Sequence, residues 1–336
     1  MKHVFFVHRP FTIEIIKSLC QSKNIAIDDC LIITKQWYLN FFDKKILHPF
    51  KYELYEEFRF SNFKQYRNKA KDQIEKIIGK NTPYIFYTAH DKFQSSNALQ
   101  YHPNCKGFYY LEEGLASYNS IFLSSIENKH SFVRFLKHLP YLENQWFKKY
   151  YKTKTDYLFH DSFNLLGTIN LTSHAFKFIN KEHIKIEIEA LKWKFKSKVV
   201  FVFDDLVGAQ LVKEEEYFRA LKLILTKLHD KDICIKFHPI QKDTEKQYII
   251  NLFEEKNIVI EIIPTEITLE HYFEKNSLTL YGFFSSLLYY NRALSDNRNN
   301  SYSFINLLLG STTKLKSEAY TTSIKFLKNN NVEFIN

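Results

Sequence analysis

Three short clusters in the chain carry side chains that can move a proton or hold an anion. Two adjacent carboxylates, Glu112 and Glu113, follow the apolar run GFYYL (residues 107–111) and precede Gly114. On an extended backbone adjacent side chains point to opposite faces, so at most one of the pair enters a cleft. A carboxylate partly withdrawn from water has its pKa raised toward the range of a general base; an acidic pair at a helix start is also favoured by the helix dipole. His238-Pro239 closes the run ICIKF (residues 233–237). Proline cannot extend a sheet ladder and fixes the exit turn, which leaves the imidazole at the sheet edge, placed to protonate or hydrogen-bond a leaving phosphate oxygen. Lys236, two residues back on the same face, adds positive charge. Ser285-Ser286 follows Gly282 and precedes the apolar run 287–290. Hydroxyls and backbone N–H groups at a helix start bind anions, and Ser is equally a favoured N-cap.

The elements that must position these groups alternate between strand-like and helix-like runs, the pattern of α/β layers around parallel sheets. A buried strand at 4–7 turns at His8-Arg9-Pro10 into a helix over 12–22. Strands follow at 30–34, at 84–87 after a basic helix over 68–78, and at 107–111; a basic helix over 121–151 and a strand at 157–160 close this half. The Lys-rich stretch 175–198 reads as a connection with some helix. The pattern then restarts with KVVFVF (198–203) and Asp204-Asp205, a helix over 213–228, the strand 233–237 and a helix over 244–255. Next come a strand at 258–263, Pro264, a helix over 270–275 and a strand at 278–281. The expected architecture is two Rossmann-like doubly wound domains facing a central cleft. The first, acceptor-side domain spans 1–175, a connection 176–197, the second, nucleotide-sugar domain 198–316 and a helical tail 317–336. In such sheets ligands bind beyond the carboxyl ends of the strands, where His8, Arg9, His90, Glu112, Glu113, Asp204, His238 and Ser285 fall.

Composition narrows the classes. Of 336 residues 45% are hydrophobic and 25% charged, which excludes a disordered chain; seven Gly and seven Pro are too few for collagen-like or turn-rich propeller and sandwich folds. A net charge of +10 points to an anionic partner: nucleic acid, an acidic membrane face, or a phosphorylated or carboxylated substrate. Cys20, Cys30, Cys105 and Cys234 are scattered without metal-ligand spacing, so reduced cytosolic thiols are expected. The apolar run before His8 is too short for a signal peptide or a membrane span. A cytoplasmic protein, resting on the inner face of the membrane through its basic surface, is the expectation. Asp230-Lys231-Asp232 matches a metal-binding D-x-D but falls at the amino end of its strand, so it reads as a solvated turn. The basic-aromatic stretch 147–154 reads as a solvated helix face in preference to an RNA or lipid contact.

Taken in order, LEEG (111–114), KFHP (236–239) and FFSS (283–286) resemble the motifs of the bacterial sialyltransferases of the GT-B fold, in particular the lipooligosaccharide and capsule enzymes, polysialyltransferases included. The resemblance implies transfer of sialic acid from CMP-sialic acid to a sugar hydroxyl of a surface glycan, with inversion at the anomeric carbon. It implies Glu112 or Glu113 as general base, with Glu112 preferred, and His238 stabilising the departing phosphate. Ser285 and Ser286 would bind that phosphate, Lys236 and Pro239 would line the donor site, and Glu266 or Glu270 would hold the nucleotide. Gly114 and Gly282 support these turns; His8, Arg9 and His90 lie on the acceptor side. No metal or cofactor is implied, since imidazole and hydroxyls replace the cation. Partners are the donor and a glycan acceptor, without nucleic acid, and pairing into a homodimer is compatible with the family. The first motif is Glu-Glu where several relatives carry Asp, and the 8–11 loop has no hydroxyl until Thr12. The length favours single addition over processive polymerisation. Alternatives are a related transferase using CDP-glycerol or CMP-linked 3-deoxy-octulosonic acid, or a non-enzymatic binder of acidic glycan or nucleic acid. Acceptor sugar and linkage stay open.

Overall fold

Apolar runs too short for helices and buried on both faces fold as parallel strands, and the chain makes two such sheets in succession. The computed structural model describes residues 1–40, 44–56, 63–89, 94–118, 165–177, 179–188, 193–265, 267–310, 315 and 318–335. The first sheet holds β1 (Lys2–Phe6), β2 (Cys30–Thr34), β3 (Lys51–Leu54), β4 (Tyr84–Thr88), β5 (Cys105–Leu111), β6 (Leu165–Asn170) and β7 (Glu182–Lys185). Its order is β3-β2-β1-β4-β5-β6-β7, parallel throughout. The helices α1 (Pro10–Ser22), α2 (Gln36–Leu39), α3 (Phe63–Ile78) and α4 (Gln94–Tyr101) lie between its strands in the chain. All five positions of β4 are buried, as a central parallel strand demands.

The second sheet holds β8 (Val199–Val202), β9 (Asp232–Lys236), β10 (Val259–Ile262), β11 (Thr279–Gly282), β12 (Asn300–Ser303) and β13 (Glu333–Phe334), in the order β10-β9-β8-β11-β12-β13, again parallel. Its helices are α5 (Glu214–Lys227), α6 (Asp243–Glu254), α7 (Ser286–Ala293) and α8 (Glu318–Asn329). Helix α5 shows why these segments are helical. Glu214, Glu215 and Glu216 sit in its first turn and Lys227 in its last, opposing the dipole, while Tyr217, Phe218, Leu221, Ile224 and Leu225 recur at helical spacing on the buried face. In both sheets the strand order reverses beside the first strand, at β1/β4 and at β8/β11, and such switch points are where ligands bind in open α/β sheets.

Three expectations need correction. Within the stretch 176–197, read as a connection with helix, residues 182–185 are strand β7, which extends the first sheet, so the compact units are Met1–Ile188 and Glu189–Asn336. The tail 317–336 is not only helical: after α8 the chain returns as β13 to pair in parallel with β12. The helix expected over 270–275 is one 3₁₀ turn, Leu269–Tyr272. The expected helix over 121–151 and strand at 157–160 lie outside the described residues, as do His90 and Glu266.

Candidate functional site

At the carboxyl edge of each sheet a buried apolar residue hands the chain over to a polar one. Val7 precedes His8, Leu111 precedes Glu112, Phe203 precedes Asp204, Phe237 precedes His238 and Phe283 leads into Phe284-Ser285; all five apolar anchors are buried. In the second unit the anchors stack. The rings of Phe201 and Phe203 are 4.6 Å apart and those of Phe203 and Phe237 5.4 Å, a rigid aromatic floor that fixes where the following residues emerge.

In the first unit the two adjacent carboxylates do different things. Glu112 is fully buried and saturated with donors. One oxygen accepts the backbone N–H groups of Leu171 (2.8 Å) and Thr172 (3.0 Å), and the other accepts the hydroxyls of Thr172 (3.3 Å) and Tyr118. Gly114, at φ +67°, takes the left-handed conformation that starts the 3₁₀ turn Leu115–Tyr118 and brings Tyr118 back onto the carboxylate. Glu112 thus ties the end of β5 to the loop after β6. Four donors thus stabilise the charge of Glu112, the carboxylate preferred as proton acceptor in the sequence, and engage both of its oxygens.

Glu113 points elsewhere. Its carboxylate lies 3.5 Å from His8 Nδ1 and 3.2 Å from Arg9 Nε, while its backbone N–H donates to Ser117 Oγ at 2.9 Å. His8 is itself buried, edge-on to Phe6 and Tyr38. A carboxylate, an imidazole and a guanidinium thus meet where β1 and β5 end, with the end of β4 between them in the sheet order. This cluster brings together Glu113, His8 and Arg9 from the residues singled out in the sequence.

In the second unit His238 opens a turn that closes on itself. Its backbone N–H donates to Gln241 Oε1 (3.0 Å), its carbonyl accepts the Gln241 N–H (3.1 Å), and its Nδ1 accepts the N–H of Ile240 (3.4 Å). An Nδ1 that accepts a hydrogen bond leaves the proton of the neutral imidazole on Nε2. Pro239 holds the second position of this turn. Gln241 also donates to Glu245 Oε1 at 2.7 Å, and burial, with Asp205 and Glu214 nearby, pushes the Glu245 carboxyl up from its ordinary pKa. Gln241, three residues beyond His238 after a turn-fixing proline, was the readable signal missed in the sequence.

Lys236, expected to line the donor site, reaches the loop after β10. Its ammonium donates to the carbonyls of Pro264, Thr265 (3.0 Å) and Ile267 (2.8 Å), so all three protons are spent on the loop after β10 and the side chain is a fastener for that loop. The 3₁₀ turn that carries Glu270 follows in the chain. Ser285 is the N-cap of α7, its Oγ accepting the Leu287 N–H at 3.4 Å, and Ser286 begins the helix half-buried. Asp204, at the end of β8, accepts the Phe284 N–H at 3.0 Å and so pins the serine loop across the β8/β11 switch point. Gly282 lets β11 lie close to β8; a Cβ there would fall 2.9 Å from the Val202 carbonyl oxygen. Among the described residues no group of three or more His, Cys, Asp and Glu is placed to hold a metal, and no helix is long and apolar enough to cross a membrane.

Two Rossmann-like parallel-sheet domains in tandem are the components of a GT-B fold. A family model described as Alpha-2,8-polysialyltransferase (POLYST) matches residues 5–302. Comparison with curated protein sequences found no match. Among solved structures the chain is similar to S. aureus MnaA with UDP, at 13% identity over 98% of this chain and 90% of that one, TM-score 0.47. It is also similar to Acinetobacter baumannii MurG (10%, 100% and 85%, TM-score 0.44) and to Anabaena Alr3699/HepE in complex with UDP and glucose (11%, 98% and 97%, TM-score 0.44).

Proposed function

The chain belongs to the alpha-2,8-polysialyltransferase family, and from that premise we propose that it transfers sialic acid from CMP-sialic acid to a hydroxyl of a bacterial surface glycan, lipooligosaccharide or capsule, with inversion at the anomeric carbon. The acceptor oxygen attacks that carbon as its bond to the CMP phosphate breaks. Glu113 takes the hydroxyl proton, because Glu112 is committed to its four donors while Glu113 faces the carboxyl end of β1. His238 delivers its Nε2 proton or a hydrogen bond to the departing phosphate oxygen. Ser286 and the amino end of α7, capped by Ser285, bind the phosphate, and Glu266 or Glu270 holds the nucleotide. Imidazole, hydroxyls and helix dipole carry the leaving-group charge in this scheme, which needs no metal ion. We place the protein in the cytoplasm at the inner membrane face, where its basic surplus meets anionic lipid.

The observation that supports this reading is the turn 238–241 beyond the carboxyl edge of β9, where the Ile240 N–H lies 3.4 Å from His238 Nδ1 and so favours Nε2 as the protonated nitrogen of the neutral ring. The deciding experiment is incubation with CMP-sialic acid and a panel of galactose-terminated and sialic-acid-terminated acceptors, with EDTA present, read by mass spectrometry. A mass increase of one sialic acid with release of CMP is the expected result. Transfer from CDP-glycerol or CMP-linked 3-deoxy-octulosonic acid instead, or no turnover of any donor, overturns the reading.

A further inference from the structure

Four cysteines are scattered along the chain, and the fold brings two of them together. Cys20 lies in the last turn of α1, and Cys30 opens β2, where it pairs in register with His3 of β1. Between them the chain reverses tightly. Asn24 takes the left-handed conformation at φ +52°, the Ile25 N–H donates back to the Cys20 carbonyl at 2.9 Å, and a 3₁₀ turn over Ile27–Asp29 delivers Cys30. The two sulfurs end 3.4 Å apart, within the reach of a thiol hydrogen bond. Both residues are buried, Cys20 at 6% exposure and Cys30 at 2%, yet the chain that joins them is exposed at residues 21–24 and 26–28. A small solute therefore has a short path to the pair.

The other two thiols meet oxygens instead. Cys105 Sγ donates to the Gly107 carbonyl at 3.3 Å and Cys234 Sγ to the Glu261 carboxylate at 3.2 Å. Burial pushes the Cys105 thiol up to about 12 and the Cys234 thiol up to about 11, which starves both of thiolate, the reactive form. At the pair the shared hydrogen bond divides the two sulfurs. Cys30 keeps its proton and offers it to Cys20, which draws the Cys20 thiol below its ordinary pKa and drives that of Cys30 up.

We propose that Cys20 and Cys30 are a redox modification site that a hydroperoxide converts to a reversible disulfide. With hydrogen peroxide, the Cys20 thiolate attacks one peroxide oxygen, the O–O bond breaks, and the other oxygen leaves as hydroxide, which becomes water on taking up a proton. Cys20 is then a sulfenic acid. Cys30 gives up its proton and its sulfur attacks Cys20 Sγ; the S–O bond breaks and the second water departs. Two thiols have lost two electrons and two protons, and one peroxide has become two waters. The sulfurs need only close from 3.4 Å to about 2.05 Å. The new bond ties the end of α1, the helix that starts directly after His8 and Arg9, to the sheet.

The test takes the whole chain, reduced with dithiothreitol and then freed of it, through a brief exposure to hydrogen peroxide without denaturant. Thiols still free are alkylated in urea, and the digest is read by mass spectrometry. The expected product is one linked peptide pair containing Cys20 and Cys30, reversed by dithiothreitol. It should form faster than Cys105 or Cys234 is lost, by a factor on the order of 10 or more. In Cys30→Ser no link can form, and dimedone should trap Cys20 as the sulfenic acid. Oxidation of all four thiols at similar rates overturns the proposal. So does a wild-type pair that stays fully alkylatable, or a Cys20 that passes to sulfinic acid without linking. The site stands or falls apart from the transferase reading, since no donor or acceptor enters the experiment.

Discussion

Replacing Glu112 and Glu113 singly should break different things. Glu112 receives two backbone N–H groups at 2.8 and 3.0 Å and two hydroxyls, all inside the first unit. In Glu112→Gln the amide oxygen can keep the N–H pair, and the amide nitrogen can donate to the Thr172 and Tyr118 hydroxyls once these rotate. The bonds survive but lose their charge. Charge-assisted bonds contribute about 1.5–3 kcal/mol and neutral ones about 1, so two weakened N–H bonds predict a loss of about 1–4 kcal/mol. Glu112→Ala leaves both N–H groups buried without an acceptor, at about 1–3 kcal/mol each, for about 2–6 kcal/mol in all. Glu113→Gln should disturb unfolding less than Glu112→Ala, because the amide still meets the buried His8 ring and the Arg9 partner of the ion pair is 58% exposed. Glu113→Gln should instead lower turnover by a factor on the order of 10² to 10⁴, the usual cost of a lost base. The assays are urea unfolding followed by tryptophan fluorescence, and CMP release from CMP-sialic acid with acceptor present. A Glu112→Gln protein with an unchanged unfolding midpoint and turnover as low as that of Glu113→Gln would refute the assignment, and would return the proton to Glu112.

His238→Ala should cut turnover by a factor on the order of 10² to 10⁴ with an unaltered circular dichroism spectrum, and unchanged turnover would remove the imidazole from the mechanism. The two serines should part: Ser285→Ala loses the cap of α7, about 1 kcal/mol of stability, whereas Ser286→Ala should weaken CMP binding several-fold by titration with stability intact. His102 should make the first unit acid-sensitive. Burial pushes its pKa from 6.5 down to about 4, and its Nδ1 accepts the Asn104 N–H at 3.3 Å, so the fold holds it neutral. The unfolded chain takes up the proton first, so this stability is complete above pH 6.5 and drains away as the pH falls toward 4. At about 1.4 kcal/mol per pH unit the ceiling is about 3 kcal/mol, which partial solvent screening reduces to about 1–2. Urea midpoints at pH 7 and pH 4.5 for wild type and His102→Phe check it: the gap between the two proteins should change with pH, and a constant gap refutes the cause.

What could be read in the sequence follows from what water does to each strand. The strands β1, β2, β4, β8 and β9 each hold a continuous apolar run of three or four mostly buried residues, the mark of a strand covered on both faces. Strand β6 (LLGTIN) escaped notice although five of its six positions are buried, because Gly167, Thr168 and Asn170 interrupt the apolar run; three others lack the signature altogether. All four positions of β3 are exposed, β7 (EHIK) is an exposed edge, and β12 (NSYS) is polar. Asn291 helps hold β12 in place, donating to the carbonyl of Asn300 (2.8 Å) and the hydroxyl of Ser301 (3.1 Å). The chemistry-bearing residues were legible as a class because each follows a buried anchor at a strand's end. Their individual duties were not. The sequence could not show that Lys236 meets three carbonyls from 264–267, or that Glu112 accepts the N–H groups of Leu171 and Thr172, about sixty residues on. Side chains fastened to distant loops leave no local pattern.

The acidic pair shows how one rule of backbone geometry produces a division of labour. Where β5 ends, the backbone is still extended, and neighbouring side chains must diverge. Strand β6 lies on one side of β5, and β4, then β1, on the other. Glu112 meets the loop that follows β6, a segment rich in backbone N–H groups, and becomes its clasp; Glu113 meets the residues that follow β1 and finds an imidazole and a guanidinium. The clasp makes the second carboxylate useful. With Glu112 locked by Leu171, Thr172 and Tyr118, the turn through Gly114 is fixed, Ser117 is brought onto the N–H of Glu113, and the outer carboxylate is presented from a rigid base. Shortening Glu112 by one methylene, to Asp, should therefore disturb Glu113 without touching it. A Glu112→Asp protein that turns over at the wild-type rate with the wild-type pH profile would show that the two carboxylates are independent after all.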